Sequence, residues 1–232
     1  MRNLAILVLS IFMLQLSSNE ISAQVGQEIN TYQMIQDLSP GYMERFEKEI
    51  DADGSPYLFN EFLSGSLTFM NGKTVSDVPL RFNIHEENVQ FQNNGNIFVL
   101  DAEVINKIEI TGQNETITLQ KGFDARRLSE NNFVEILADG DAKFMVKYSA
   151  TLRQANANYG ASANTNEFST TETYYVKFGN EDTERLRRLN ERRVLRVFPD
   201  HSDEIEQFVN NNNLQLDNAD DVAALFKYYN SL

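Results

Sequence analysis

From Gly65 onward the chain alternates apolar and polar residues with a period of two. Leu67 and Phe69 flank Thr68; Leu80, Phe82 and Ile84 alternate with Arg81 and Asn83; Val89 and Phe91 alternate with Gln90 and Gln92. A strand places successive side chains on opposite faces, so this rhythm predicts strands with one buried face. Further strands are predicted at 97–100, 104–110, 116–119, 133–138, 143–152 and 171–178. The clearest carries Phe144, Val146, Tyr148, Ala150 and Leu152 on one side and Met145, Lys147, Ser149 and Thr151 on the other. Asn71-Gly72, Asn94-Gly95 and Asp139-Gly140 are dipeptides that accept positive φ, and they mark tight hairpins. About nine strands with short polar turns and no crossover helices predict an antiparallel meander. A sheet of that size is expected to curl into a half-barrel or barrel, or to be covered on its apolar face.

The period is different at both ends. Ile35, Leu38, Tyr42, Phe46 and Ile50 recur at helical steps, which predicts helix from Gln27 to Ile50, interrupted or kinked at Ser39-Pro40. After Gly179 three helices are predicted. The first runs from Asn180 to Val197 and stops at Phe198-Pro199. The second opens at Ser202 with the stripe Ile205, Phe208 and Val209, and ends in Asn210 to Asn213. The third opens at Asn218 and carries Val222, Leu225, Phe226 and Tyr229. The fold class expected is therefore α+β. Its parts are residues 1–23 as a leader, 24–53 as an N-terminal helical segment, 54–178 as the antiparallel β domain and 179–232 as a C-terminal helical subdomain.

The leader reading rests on Arg2, an apolar run from Leu4 to Leu16, and Ile21-Ser22-Ala23 before Gln24, the pattern of a cleaved secretory signal. That run is shorter than the ~20 residues a spanning helix needs, so no membrane span is expected after cleavage. The chain has no cysteine, which rules out disulfides, thiolate metal sites and a cysteine-linked lipid. A periplasmic or secreted location is the expectation. Removing residues 1–23 takes away Arg2 and Glu20, one of each sign, so the net charge of −14 is unchanged. Such a surface repels phosphate backbones, and nucleic acid is not expected as a partner.

Candidate chemistry is sparse. "DADG" at 51–54 matches part of a calcium loop, but position 12 of that loop falls on Asn60, not on a glutamate, and a helix-ending turn explains the same letters. His85 and His201 stand alone, without the second histidine of a zinc motif, and no metal or cofactor is expected. Nucleophile-elbow and phosphate-loop patterns are absent, and carboxylate pairs in so acidic a chain have no specificity, so the chain reads as non-catalytic.

Two features are candidates for binding. Arg185, Arg188, Arg192 and Arg196 fall within about 80° of arc on a regular helix. Guanidinium forks on one stripe suit an anionic glycan, a lipid headgroup or a partner's carboxylates, whereas a solvated face would pair them with Glu181, Asp182, Glu184 and Glu191. The second is the Asn-, Ala- and Ser-rich stretch 154–172, with Tyr159 and Phe168, either a lid over the sheet or an idle hairpin tip.

The stretches "SAQ" at 22–24, "GSPYLFNEF" from Gly54, "NGKTVSDVPLRFNIHEENVQF" from Asn71, "RVLRVFPDHSDEIEQFV" from Arg193 and "YYNSL" from Tyr228 resemble an uncharacterised family of exported Bacteroidetes proteins. The resemblance spans most of the chain after the leader and implies export, with no activity to carry over. In element order alone the chain is similar to the half-barrel carriers of lipoproteins. Two function classes follow: an interaction module of the periplasm or cell envelope, with a protein or glycan as partner, or a carrier holding a lipid or other apolar ligand between sheet and helices.

Overall fold

The computed structural model describes residues 31–112, 115–154 and 165–232. Eleven strands form one sheet: β1 (Met43–Arg45), β2 (Leu63–Phe69), β3 (Thr74–Asn83), β4 (Asn88–Asn93), β5 (Asn96–Leu100), β6 (Ile105–Thr111), β7 (Thr116–Gln120), β8 (Val134–Ala138), β9 (Ala142–Arg153), β10 (Glu167–Phe178) and β11 (Glu184–Leu186). Four helices accompany them: α1 through residues 31–38, α2 (Glu191–Val197), α3 (Ser202–Asn212) and α4 (Ala219–Tyr229). The α+β class and the antiparallel pairing expected from the alternation are present, since every ladder between these strands is antiparallel.

The strand order is β1-β5-β4-β3-β2-β6-β7-β8-β9-β10-β11, which corrects the single meander. The chain runs β2 to β5 in one direction. A 3₁₀ turn at Ala102–Val104 then returns it to the free side of β2, where β6 pairs and a second meander grows the other way. The nine predicted strands correspond to β2–β10. The two additional ones, β1 and β11, have three residues each and lie at the two edges. β1 and β11 do not pair with each other, so the sheet is not a closed barrel. It bends far enough for the end of β3 to meet β9, where Ala150 N–H donates to the Ile84 carbonyl and His85 Nδ1 lies 2.8 Å from the Ala150 carbonyl.

Both added strands come from segments whose period predicted helix. At the N-terminal side helix stops at residue 38, where Ser39 Oγ donates back to the Ile35 carbonyl, and residues 43–45 pair with β5 instead of continuing the helix through Ile50. At the other end, residues 184–186 pair with Tyr174–Val176, and helix begins only after Asn190. An open sheet edge offers hydrogen bonds that outweigh modest helix propensity in a short segment. The turns follow expectation: Asn94 (φ 49°) and Gly95 (φ 72°) both have the positive φ of a two-residue hairpin.

One face of the sheet carries most of the apolar core, but two different layers complete it. Across β2–β7 the inward residues Leu67, Phe69, Leu80, Phe91, Ile105, Ile108 and Ile110 are all 0–1 % exposed, and α1 adds Ile35. Across β8–β10 the same face meets the C-terminal helices: Phe144 stacks on Phe226 with centroids 5.3 Å apart, and Phe198 lies 4.8 Å from Phe226. The opposite face of β8–β10 is covered by the 121–133 segment, with Phe123 and Leu128 against Val134, Met145 and Tyr175. Asn230 fixes the helical layer to the β8–β9 turn. Its Oδ1 accepts from Ala142 N–H and its Nδ2 donates to the Asp139 and Ala142 carbonyls. Gly140 permits this approach, because a Cβ there would lie 2.5 Å from the Asn230 side chain.

Candidate functional site

The arginine-rich segment is divided between a strand and a short helix. Asn190 caps α2, its side chain accepting from Arg193 N–H at 3.1 Å, and fixes where the helix starts. Val194 is fully buried, and Val197 and Phe198 join the same apolar cluster. The helical period then turns Arg192, Arg193 and Arg196 outward, and all three are exposed. Arg185 projects from β11, opposite Tyr175 of β10, while Arg187 and Arg188 lie in the connection before α2.

The regular helical stripe of Arg185, Arg188, Arg192 and Arg196 therefore does not form. What forms is a cleft of about 350 Å³ between β11 and α2, lined by Arg185, Arg187, Arg193 and Arg196 and also by Glu181, Asp182 and Glu184. Arg188 is exposed outside that cleft, and Arg192 joins Arg193, Arg196 and Asn190 in a neighbouring depression. Among the described residues no carboxylate lies within 4.0 Å of any of these six arginines, so the pairing with Glu181, Asp182, Glu184 or Glu191 weighed from the sequence is absent. Arg185 Nε is buried and has no hydrogen-bond partner. A buried N–H that has lost its water and gained nothing is a standing cost.

The second candidate resolves differently. β10 starts at Glu167, and its first six residues pair with β9, so the connection is shorter than 154–172. Phe168 is 6 % exposed, with its ring 5.3 Å from His85, and belongs to the core instead of a lid. Tyr159 lies outside the described residues. "DADG" is a tie to the same strand. Asp53 N–H donates to the Asn166 carbonyl, Phe168 N–H donates to the Asp53 carbonyl, and Thr165 Oγ1 donates to Asp53 Oδ2. Gly54 has φ 78°, and a Cβ there would stand 2.6 Å from the Phe168 carbonyl oxygen, which is why the turn carries glycine. Among the described residues no three His, Asp or Glu side chains converge as a metal site.

Two polar sites were not read from the sequence. Arg81 of β3 is 6 % exposed, with its guanidinium 3.6 Å from the Tyr57 ring centroid and 4.6 Å from that of Phe62. Its Nε and one terminal nitrogen donate to Gln90 Oε1 at 3.0 and 2.8 Å, and it reaches Glu49 Oε1 at 2.5 Å. The residues 49–62 thus lie across what alternation alone marks as a solvent face. The other site lies where the two apolar clusters meet. The pairs Leu119 with Glu135, Glu135 with Val146 and Val146 with Tyr174 put these side chains on one face, and Glu172 is level with Tyr148. Tyr148 Oη donates to Glu135 Oε2 at 2.8 Å, and Tyr174 Oη donates to Glu172. Burial pushes the Glu135 carboxyl above its ordinary range; the Tyr148 bond opposes this, and Glu115, Glu172 and Asp220 reinforce it. Both tyrosines are pushed up, chiefly by burial and then by these carboxylates.

No helix among the described residues is long and apolar enough to cross a membrane. No protein-family model, no curated protein and no solved structure matches the chain, so the reading of the site rests on its own geometry.

Proposed function

We propose that the protein is a non-catalytic, exported binding module of the periplasm or cell envelope, and that its binding surface is the arginine cleft between β11 and α2. The observation that carries this reading is the set Arg185, Arg187, Arg193 and Arg196. These four residues line one cleft together with Glu181, Asp182 and Glu184, yet among the described residues no carboxylate lies within ion-pair distance of any of them, on a chain of net charge −14. Arginines in an acidic protein ordinarily find partners within the chain. A group of them that does not is suited to carboxylate, sulfate or phosphate groups brought from outside. The leader pattern and the absence of cysteine support the location.

The carrier alternative has weaker support. The inward face of β2–β7 is filled by its own side chains, with Leu67, Leu80, Leu100, Ile105 and Ile108 at 0 % exposure, which leaves little reason to look there for a lipid. A column carrying carboxylate or sulfate groups tests the arginine reading. The chain is expected to be retained at low salt despite its net charge, and the double variant Arg187→Glu/Arg193→Glu is expected to flow through. Flow-through of the unaltered chain at low salt would overturn the proposal.

A further inference from the structure

The arginine cleft does not end at α2. Arg193 and Arg196 line both it and the neighbouring depression, and Asn190 lines both that depression and a third cleft between α2 and the C-terminal end of α3. The three clefts, about 350, 450 and 440 Å³, thus adjoin in series around α2 and are taken together as one groove. Its chemistry changes along its length. Arginines line one end, whereas Asn210, Asn213 and Gln215 line the other.

We infer that this groove holds a polysaccharide segment carrying carboxylates at intervals, that is, a uronic-acid-containing oligosaccharide. The inference rests on the anion-binding reading above and adds the class of ligand. Three observations favour it. First, the groove exceeds a single small anion: the seven residues of α2 alone extend about 10 Å, longer than one sugar ring. Second, carboxamides offer a donor and an acceptor side by side, which matches a hydroxyl that both gives and takes a hydrogen bond. Third, acidic side chains also line both ends, Glu181, Asp182 and Glu184 at one and Glu191 and Asp217 at the other. They would repel a densely charged polymer such as polyphosphate, yet tolerate charges spaced by neutral hydroxyls.

An acidic peptide would satisfy the arginines but not the remainder of the groove. Peptide segments gain most of their affinity from apolar side chains seated in pockets. The apolar residues at the carboxamide end are Val209, Leu214 and Leu216, of which Val209 and Leu216 are only 8 % and 4 % exposed and already used in the core.

Isothermal titration of the full chain with galacturonate, hexagalacturonate, a neutral hexasaccharide and hexaglutamate, at one low salt concentration, tests this. Hexagalacturonate is expected to bind about tenfold or more tightly than the monomer, as one or two added hydrogen bonds would give, and the neutral hexasaccharide not to bind. The double variant Asn210→Ala/Gln215→Ala is expected to abolish the gain from length while leaving galacturonate binding in place. The variant Arg187→Glu/Arg193→Glu is expected to abolish both. Circular dichroism melting of each variant, matching that of the unaltered chain, ensures that lost binding is not lost folding. If monomer and hexamer bind equally, the extended groove is wrong while the anion site stands. If hexaglutamate binds as tightly as hexagalacturonate, the partner is an acidic peptide and the glycan assignment falls. If no anion binds, both readings fall together.

Discussion

Arg81 and the arginines of the β11–α2 groove are the same residue type in opposite circumstances. Arg81 lies between two aromatic rings, with its nitrogens committed to Gln90, to Glu49 and to the Asn60 carbonyl at 3.1 Å. Arg187, Arg193 and Arg196 are exposed and unpaired among the described residues, and Arg185 keeps a buried Nε without a partner. A guanidinium whose donors are all used inside the chain holds structure together; one whose donors are free has capacity left for something else. The two sites also differ in how they are built. The first bridges segments far apart in sequence, and the second is assembled almost entirely within residues 181–197.

The contrast predicts a steep order of effects. Arg81→Ala should cost about 3 kcal/mol, because Gln90 and Glu49 lose their partner and the aromatic pair is left around a void. Arg81→Lys should recover only part of this, since an ammonium keeps the charge but not the fork; urea melts of both variants measure the difference. A carboxamide tie should show the same behaviour on a smaller scale. Asn230→Ala removes three hydrogen bonds to the β8–β9 turn and should cost about 1–2 kcal/mol, read from the same melts. Glu135 is the reverse case, a buried acid with a phenol and no cation beside it. Its folded pKa lies above the ordinary value of 4.5, so the folded state binds the proton more tightly, and stability is lost as pH rises through that window. Glu135→Gln should therefore melt higher than the unaltered chain at about pH 7 and lose that advantage at about pH 4 and below, where the acid is protonated in both states. Last, Arg187→Ala/Arg193→Ala should leave stability within about 0.5 kcal/mol; a larger loss would mean that these side chains are tied after all.

The alternation from Leu67 to Phe178 made β2–β10 readable because each of those strands turns alternate residues toward the apolar core. The cap of the last helix was equally readable, with the Asn218 side chain accepting from the N–H groups of Asp220 and Asp221, whereas α3 starts at Ser202 behind His201 (φ 56°) with no side-chain cap. β1 and β11 were not, because three residues are too few to establish a period and their pairing depends on a sheet edge that exists only once the rest has folded. For the same reason Arg185 was misplaced on a helix, although the concentration of arginines around it was visible. Arg81 leaves no mark in the pattern because it occupies an outward position in its strand. The available signal was the aromatic stretch with Tyr57 and Phe62, whose rings need something to cover. The Glu135–Tyr148 contact left no local trace at all, since it depends on the register between β8 and β9.

The way α4 completes the second half of the sheet has a consequence for biosynthesis. Phe144 and Val176 are made before the helix whose Phe226 and Val222 enclose them, so a nascent chain displays a bare aromatic strip until α4 emerges. The first half closes earlier: besides Ile35 and β2–β7 it draws on Ala150 of β9 and Phe168 of β10, all of which precede α2–α4. Vectorial assembly would thus leave one finished half joined to one sticky half, and the second is where a holding chaperone would be needed and where a chain interrupted before α4 would aggregate.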